Sequence, residues 1–358
     1  MDTAVLHICD YAAAYRGNFV ESLQRLETAL AAKGVAQVYL FPYRANHTKA
    51  KEWIAQMRRE GRAVYVQERS LFGNLRLLRR IKKQHHVTVV LRHFFDNTMD
   101  LLVPPVFGKR RVIRFIHGMY DVSATAPMHR LRRWLYRREV LVGVSQAVTD
   151  DLARLFLRSR VVNVTNAVCF DRLDSTPALP RTEAISCMVM GYNSRVKGVD
   201  LALRAVNALR ERHDVTLSIV AASHLEELKT AITQTLGEIP AWVQILPPRE
   251  DVAAYYKSVD IFLAPSRSEG FSYAVVEATA CGASVVFSDI AAHRLLKVDT
   301  RYRFESENMA AFTETLERAV RECRTEETAA RKAQWAEQVR QEYAIDRWVA
   351  QVCALIEK

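Results

Sequence analysis

The stretch Ala264–Ser288, APSRSEGFSYAVVEATACGASVVFS, admits few backbone solutions. An apolar run (Val259–Ala264) leads into a polar loop, a helical pattern opens near Ser272, and a second apolar run follows at Ser284–Phe287. Short, continuous apolar runs joined through a helix read as buried parallel strands in an α/β chain. Glu269 and Glu277 are eight residues apart, with Gly270 directly after the first. At about 1.5 Å per residue, Glu277 lies roughly a turn and a half inside the helix and Glu269 stands at its mouth. The N–H groups of Phe271 and Ser272 fall where a helix leaves its donors unpaired and attracts anions. Carboxylates suit hydroxyl donors, so the stretch is built for a ligand carrying both hydroxyls and phosphates. Either acid alone reads equally as a solvated surface residue. Their position at the carboxyl end of a strand is what favours a site.

The rest of the chain alternates in the same way. Strand-like runs are Val5–Cys9, Val38–Phe41, Ala63–Val66, Val87–Leu91, Val112–Ile116, Val140–Val144 and Val161–Thr165. After a break they resume at Ile185–Met190, Val215–Val220 and Val243–Leu246. Helical patterns lie between, one with Phe19, Leu23, Leu26 and Leu30 on one face and Gly34 as its C-cap, another capped by Ser145. Asp171–Thr182, with Pro177 and Pro180, reads as a linker. The expected division is a first domain over 1–176, a second over 177–344, and a last helix, 345–358, crossing back to the first.

Charge separates the halves. Residues 1–178 hold 29 Lys and Arg against 15 Asp and Glu, and residues 179–358 hold 22 against 25. Two segments concentrate the excess: His129–Arg138, with Leu131, Trp134 and Leu135 on one helical stripe, and Arg69–His86, with Leu71, Leu75 and Leu78. Such helices either bury the stripe in their own domain or lie on an anionic membrane surface. No zinc-finger, RNP or helix-turn-helix pattern accompanies the charge, so nucleic acid is not expected as a partner. No apolar stretch approaches the roughly 20 residues of a membrane helix, and the start MDTAVLHICDY lacks a basic segment ahead of its apolar run. Six cysteines without C-x-x-C spacing read as reduced thiols of a cytoplasmic protein, with no metal site.

The run Glu269-Gly270-Phe271-Ser272-Tyr273, then Glu277-Ala278, Cys281-Gly282 and Val285-Val286, resembles the Glu-x7-Glu signature of retaining nucleotide-sugar glycosyltransferases of family 4. That resemblance implies the GT-B fold, two Rossmann-like doubly wound parallel-sheet domains facing a central cleft. Gly191-Tyr192-Asn193-Ser194-Arg195-Val196-Lys197-Gly198 is similar to the family's Gly-Arg-x4-Lys-Gly loop, whose cations hold the donor diphosphate. Lys197-Gly198 matches. Tyr192 stands where the family has arginine, and Arg195 is the candidate replacement.

By the same resemblance Gly17 approaches the donor diphosphate, Pro248 belongs to the loop contacting the base, and His117-Gly118 ends a strand beside the transferred sugar. Glu269 would bind donor-sugar hydroxyls, with Gly270, Phe271 and Ser272 at the diphosphate, and Glu277 would bind the ribose. His117, Lys197 and Glu269 are the expected catalytic groups. The implied substrates are a nucleotide-sugar donor, UDP-linked in preference to GDP-linked, and a glycan or lipid-linked acceptor. No cofactor or metal is implied. Two alternatives stay open: a soluble sugar-phosphate or disaccharide synthase of the same fold, and a non-catalytic nucleotide-sugar-binding protein.

Overall fold

A computed structural model describes residues 3–108, 110–120, 126–191, 193–221 and 224–357. The chain forms two compact units, Met1–Ala167 with Ile345–Lys358, and Val168–Ala344. The strands of the first unit are β1 (Thr3–Cys9), β2 (Val35–Phe41), β3 (Ala63–Val66), β4 (Val87–His93), β5 (Arg111–Ile116), β6 (Val140–Gly143) and β7 (Arg160–Asn163). They make one parallel sheet in the order β3-β2-β1-β4-β5-β6-β7. The order reverses between β1 and β4, the switch point at which doubly wound sheets bind ligands. Residues of β1, β2, β4 and the helices Leu71–His85 and Asn97–Phe107 pack into one apolar core on this sheet.

The second unit repeats the plan with β8 (Ile185–Met190), β9 (Val215–Val220), β10 (Val243–Leu246), β11 (Ile261–Ala264), β12 (Ser284–Ser288) and β13 (Arg303–Phe304). Their order is β10-β9-β8-β11-β12-β13, again parallel throughout, with the switch point between β8 and β11. The fold is of the GT-B type, two Rossmann-like sheets flanked by helices. Among the described residues no helix is long and apolar enough to cross a membrane.

The chain leaves the first unit earlier than the proline-rich segment suggests, at Ala167 rather than 176. Val168 donates to the Tyr343 carbonyl at 2.9 Å, Arg172 pairs with Glu277, and Arg340 grips Asp174 through two bonds of 2.7 and 2.9 Å. These ties fasten the head of the expected linker to the second unit. The final helix, Ile345–Glu357, packs on Gly17–Ala31 in the first unit, with Trp348 6.3 Å from the Phe115 ring.

The two basic segments pack differently from a simple amphipathic reading. In Leu71–His85 the buried face is Asn74, Leu77, Leu78 and Ile81, whereas Leu71 and Phe72 are exposed. In Ala126–Leu135 the stripe of Leu131 and Trp134 faces solvent, Trp134 at 58% exposure, while Arg132 is buried. Arg132 lies 3.3 Å from Asp100, donates to Asn97 at 2.7 Å and sits 4.8 Å over the Phe95 ring. A buried counter-charge therefore decides which face turns inward.

Two histidines, His7 and His93, lie in the core of the first unit, with half-buried His117 at its edge. His7 stacks on Tyr39 and His93, and His93 stacks on Phe115 and lies 5.7 Å from His117. Burial holds the His7 imidazole down to about 4, against the opposing bond that its Nε2 makes to the Gln37 side-chain oxygen. Burial, then the charges of His117 and His7, holds His93 well below its ordinary value. All three are neutral in the folded chain at pH values where an unfolded chain protonates them, below about 6.5. Unfolding then takes up protons. The stability they contribute is complete above about pH 6.5 and is lost as pH falls toward 4, at about 1.4 kcal/mol per pH unit for each ring. Thermal melts between about pH 7.5 and pH 5 are expected to show a falling midpoint with a shallower slope in His7→Gln. A midpoint independent of pH in that range would contradict neutral burial.

Candidate active site

Each half of the second unit's switch point supplies one side of a charge pair. After β8 the chain makes a single helical turn, Ser194–Lys197, and passes through Gly198 at φ +68° into the helix Val199–Leu209. A Cβ at Gly198 would collide with the carbonyl oxygen of Pro265, so only glycine allows the two loops this close approach. The approach brings the buried Lys197 ammonium 2.5 Å from Glu269 Oε1, with the Ser266 hydroxyl donating to the same oxygen at 2.9 Å. Lys197, Ser266, Glu269 and Ser272 together line a cavity of about 10 Å³, roughly the room one water occupies.

Arg267 locks this geometry. It makes two 2.9 Å bonds to Asp200 and one of 2.7 Å to Glu307, and donates to the Arg195 carbonyl at 2.6 Å. Its own N–H bonds to the Val196 carbonyl at 2.8 Å. A second brace comes from β12: Ser288 Oγ donates to the Ser266 carbonyl at 2.6 Å, and buried His293 uses Nδ1 to bond the Ser288 carbonyl at 2.9 Å. A ligand-binding pair thus rests on a rigid shell, which limits the reorganisation required on binding.

Ser272 begins the helix Tyr273–Ala280, and Phe271 packs its ring 5.0 Å from Tyr273 and 5.6 Å from Tyr343. Gly270, Phe271 and Ser272 are all buried. Glu277, five per cent exposed, sits inside this helix and pairs with Arg172. Burial pushes its carboxyl above the ordinary range, opposed by the Arg172 charge and by bonds from Tyr256 and Arg172. The two acids expected to share one ligand therefore have different basic partners, Lys197 and Arg172.

The remaining expected residues are distributed over both units. Arg195 is exposed, and its side chain makes no hydrogen bond or ion pair among the described residues. Tyr192 lies outside the described residues. Pro248 is half-buried in the loop after β10, beside Pro247, whose carbonyl accepts from Tyr255 at 3.0 Å. Gly17, in the first unit, opens the helix after β1 at φ +55°. His117 follows β5, stacks on Phe94 at 4.1 Å and meets Phe19 edge-on at 5.7 Å. Burial holds it down to about 3, so it is neutral at pH 7. Phe94, directly after β4, adopts φ +66°, a strained value for an aromatic residue. Arg172, Ser266, Arg267 and His293 escape a sequence reading, because each acts through a partner whose identity no local pattern announces.

Residues 184–322 match the protein family described as "Glycosyl transferases group 1". A phosphatidyl-myo-inositol mannosyltransferase of Mycobacterium leprae is 32% identical over 175 residues, covering 46% of this chain and 44% of that protein. The chain thus spans less than half the length of that relative. Among solved structures, sucrose-phosphate synthase from Thermosynechococcus elongatus superposes with a TM-score of 0.80 at 14% identity, covering all of this chain and 98% of the other. The Anabaena HepE protein in complex with UDP and glucose gives 0.77 at 14% identity, with 99% of each chain covered. At such identities the likeness is one of fold. The switch-point geometry and the match to the glycosyl transferases group 1 family fall on the same stretch, residues 184–322.

Proposed function

We propose that the chain is a retaining, metal-independent glycosyltransferase that moves a sugar from a nucleotide-diphosphate donor to a hydroxyl acceptor. The observation that carries this reading is the Lys197–Glu269 pair at the β8/β11 switch point. A donor diphosphate would take over Lys197, together with the amides of Phe271 and Ser272, as negative charge develops on the leaving group. Electrostatic stabilisation of that charge is the main catalytic device in this reading. Glu269, released from Lys197, accepts bonds from hydroxyls of the transferred sugar. Glu277, oriented by Arg172, accepts bonds from the ribose. The neutral His117 offers a hydrogen bond and no charge. A UDP-sugar is the donor preferred over a GDP-sugar, with no cofactor. The relative described above acts on a phosphatidyl-inositol, by its name, and the first half of this chain carries the excess of cations. Both support a lipid-linked or polysaccharide acceptor on the cytoplasmic side of an anionic membrane.

The test is thermal stability against UDP-, GDP-, ADP- and CMP-sugars without metal. A donor at about 100 times its Kd adds about 2.7 kcal/mol, a rise on the order of 5 °C. UDP-sugars are expected to produce the rise in the wild type and to lose it in Glu277→Gln. Transfer measured in EDTA, with the anomer of the product assigned by NMR, is expected to proceed with retention. No shift with any donor, or a reaction abolished by EDTA, would refute the reading.

A further inference from the structure

We propose a second anion site, on the amino-terminal edge of the first sheet, that takes a ligand carrying two or more phosphate groups. Because all seven strands are parallel, their amino ends share one edge, opposite the carboxyl-end edge from which Gly17 and His117 project. There, His86 precedes β4, Arg110 precedes β5, Arg137 and Arg138 lie just before β6, and Arg160 begins β7. These four strands are consecutive neighbours, so the topology gathers cations that are far apart in sequence.

The gathering forms a cavity of about 680 Å³, lined by Arg79, Lys82, Lys83, His86 and Arg110, with Thr3 and Thr88 as neutral donors and no Asp or Glu among the described residues. Arg110 also borders an adjoining cavity of about 290 Å³, which adds Arg137, Arg138 and the exposed Trp134. Glu139, the one acid among its described lining residues, is buried against Arg114. Lys82 has a structural explanation, since it donates to the Val106 carbonyl at 2.6 Å and caps a helix C-terminus. The side chains of Arg79, Lys83, His86 and Arg110 make no hydrogen bond or ion pair among the described residues.

Two helix C-termini, each equivalent to about half a negative charge, do not balance four permanent cations. A polyphosphate offsets the repulsion among them through charge-assisted bonds, for which arginine forks and lysine ammoniums are suited. The site is independent of the donor reading.

The experiment is calorimetric titration of the full chain with tripolyphosphate at about 0.15 M NaCl, with co-sedimentation on phosphatidylglycerol and phosphatidylcholine vesicles in parallel. The triple variant Arg79→Glu, Lys83→Glu, Arg110→Glu, all surface positions, is expected to weaken binding at least about tenfold. An equal charge reversal elsewhere in the unit, at exposed Lys49, Lys51 and Arg59, is expected to leave binding unchanged. Loss of anionic-vesicle binding in the first triple variant assigns the phosphates to lipid headgroups. Tripolyphosphate binding without vesicle binding assigns them to a soluble ligand. Binding of neither probe, binding that survives the first triple variant, or equal weakening by the control reversal would overturn the proposal.

Discussion

Replacing Lys197 with alanine is expected to lower kcat for sugar transfer about 10²–10³-fold, the cost of removing one preorganised group from a site of developing charge. Lys197 is the buried cation at the β8/β11 switch point, set by Gly198 and the Arg267 clamp 2.5 Å from a carboxylate. Arg195, exposed and oriented only through its backbone, cannot replace it, and Arg195→Ala is expected to cost less than about tenfold. Alanine at 197 also leaves the largely enclosed Glu269 carboxylate without its cation, which costs on the order of 2–3 kcal/mol of stability. The two effects separate in the double variant Lys197→Ala with Glu269→Gln. Stability should return toward wild type, because the orphaned charge is gone, while activity stays low. A Lys197→Ala enzyme that keeps kcat within a factor of about three would remove this lysine from the mechanism.

Much of the fold is legible because parallel strands buried on both faces read as unbroken apolar runs. Ile185–Met190, Val215–Val220 and Val243–Leu246 have the same bounds in sequence and structure. β13 is two residues long, too short to leave a pattern, and the helix Asn97–Phe107 is masked by its two prolines. The site is legible in its parts. Lys197 ends a helical turn, Glu269 stands in the loop after β11, and Glu277 lies inside the helix that follows, all in stretches whose order composition marks. Their pairing is not legible, since Lys197 meets Glu269 across 72 residues and Arg172 meets Glu277 across 105. The same holds for Arg132, where the stripe Leu131, Trp134 and Leu135 points to the wrong inward face. Periodicity assumes that apolar groups compete only with water. Here they compete with an acid, already buried 32 residues earlier, that requires a cation.

That acid carries the second large prediction: Asp100→Ala is expected to destabilise the first unit by about 3–5 kcal/mol. Asp100 is one per cent exposed and sits 2.7 Å from Arg92, 2.9 Å from Arg114 and 3.3 Å from Arg132, while the Tyr136 hydroxyl donates to it at 2.8 Å. Arg114 also binds Glu139 through two bonds of 2.7 and 3.0 Å. Without Asp100, Arg114 keeps Glu139, while the buried guanidiniums of Arg92 and Arg132 keep no carboxylate among the described residues. Burial alone would raise the Asp100 carboxyl, but Arg114, Arg92, the Tyr136 bond and Arg132 together bring it down to about 2. A folded value below the unfolded one means stability that is present above about pH 4 and lost as pH falls toward 2. Urea midpoints at about pH 7 should therefore fall in the variant, and its loss of stability between about pH 5 and 2 should be smaller than that of the wild type. A conservative Asp100→Asn keeps the shape and loses the charge, so it should resemble alanine more than wild type. The exposed Trp134 gives a local readout, because Arg132 alone among the arginines of its helix is held by this acid. Once that arginine is released, Leu131 and Trp134 gain by turning inward, and proteolysis within Ala126–Leu135 should accelerate before global unfolding. Unchanged urea midpoints together with an unchanged cleavage rate would show that Asp100 does not decide which face of that helix is buried.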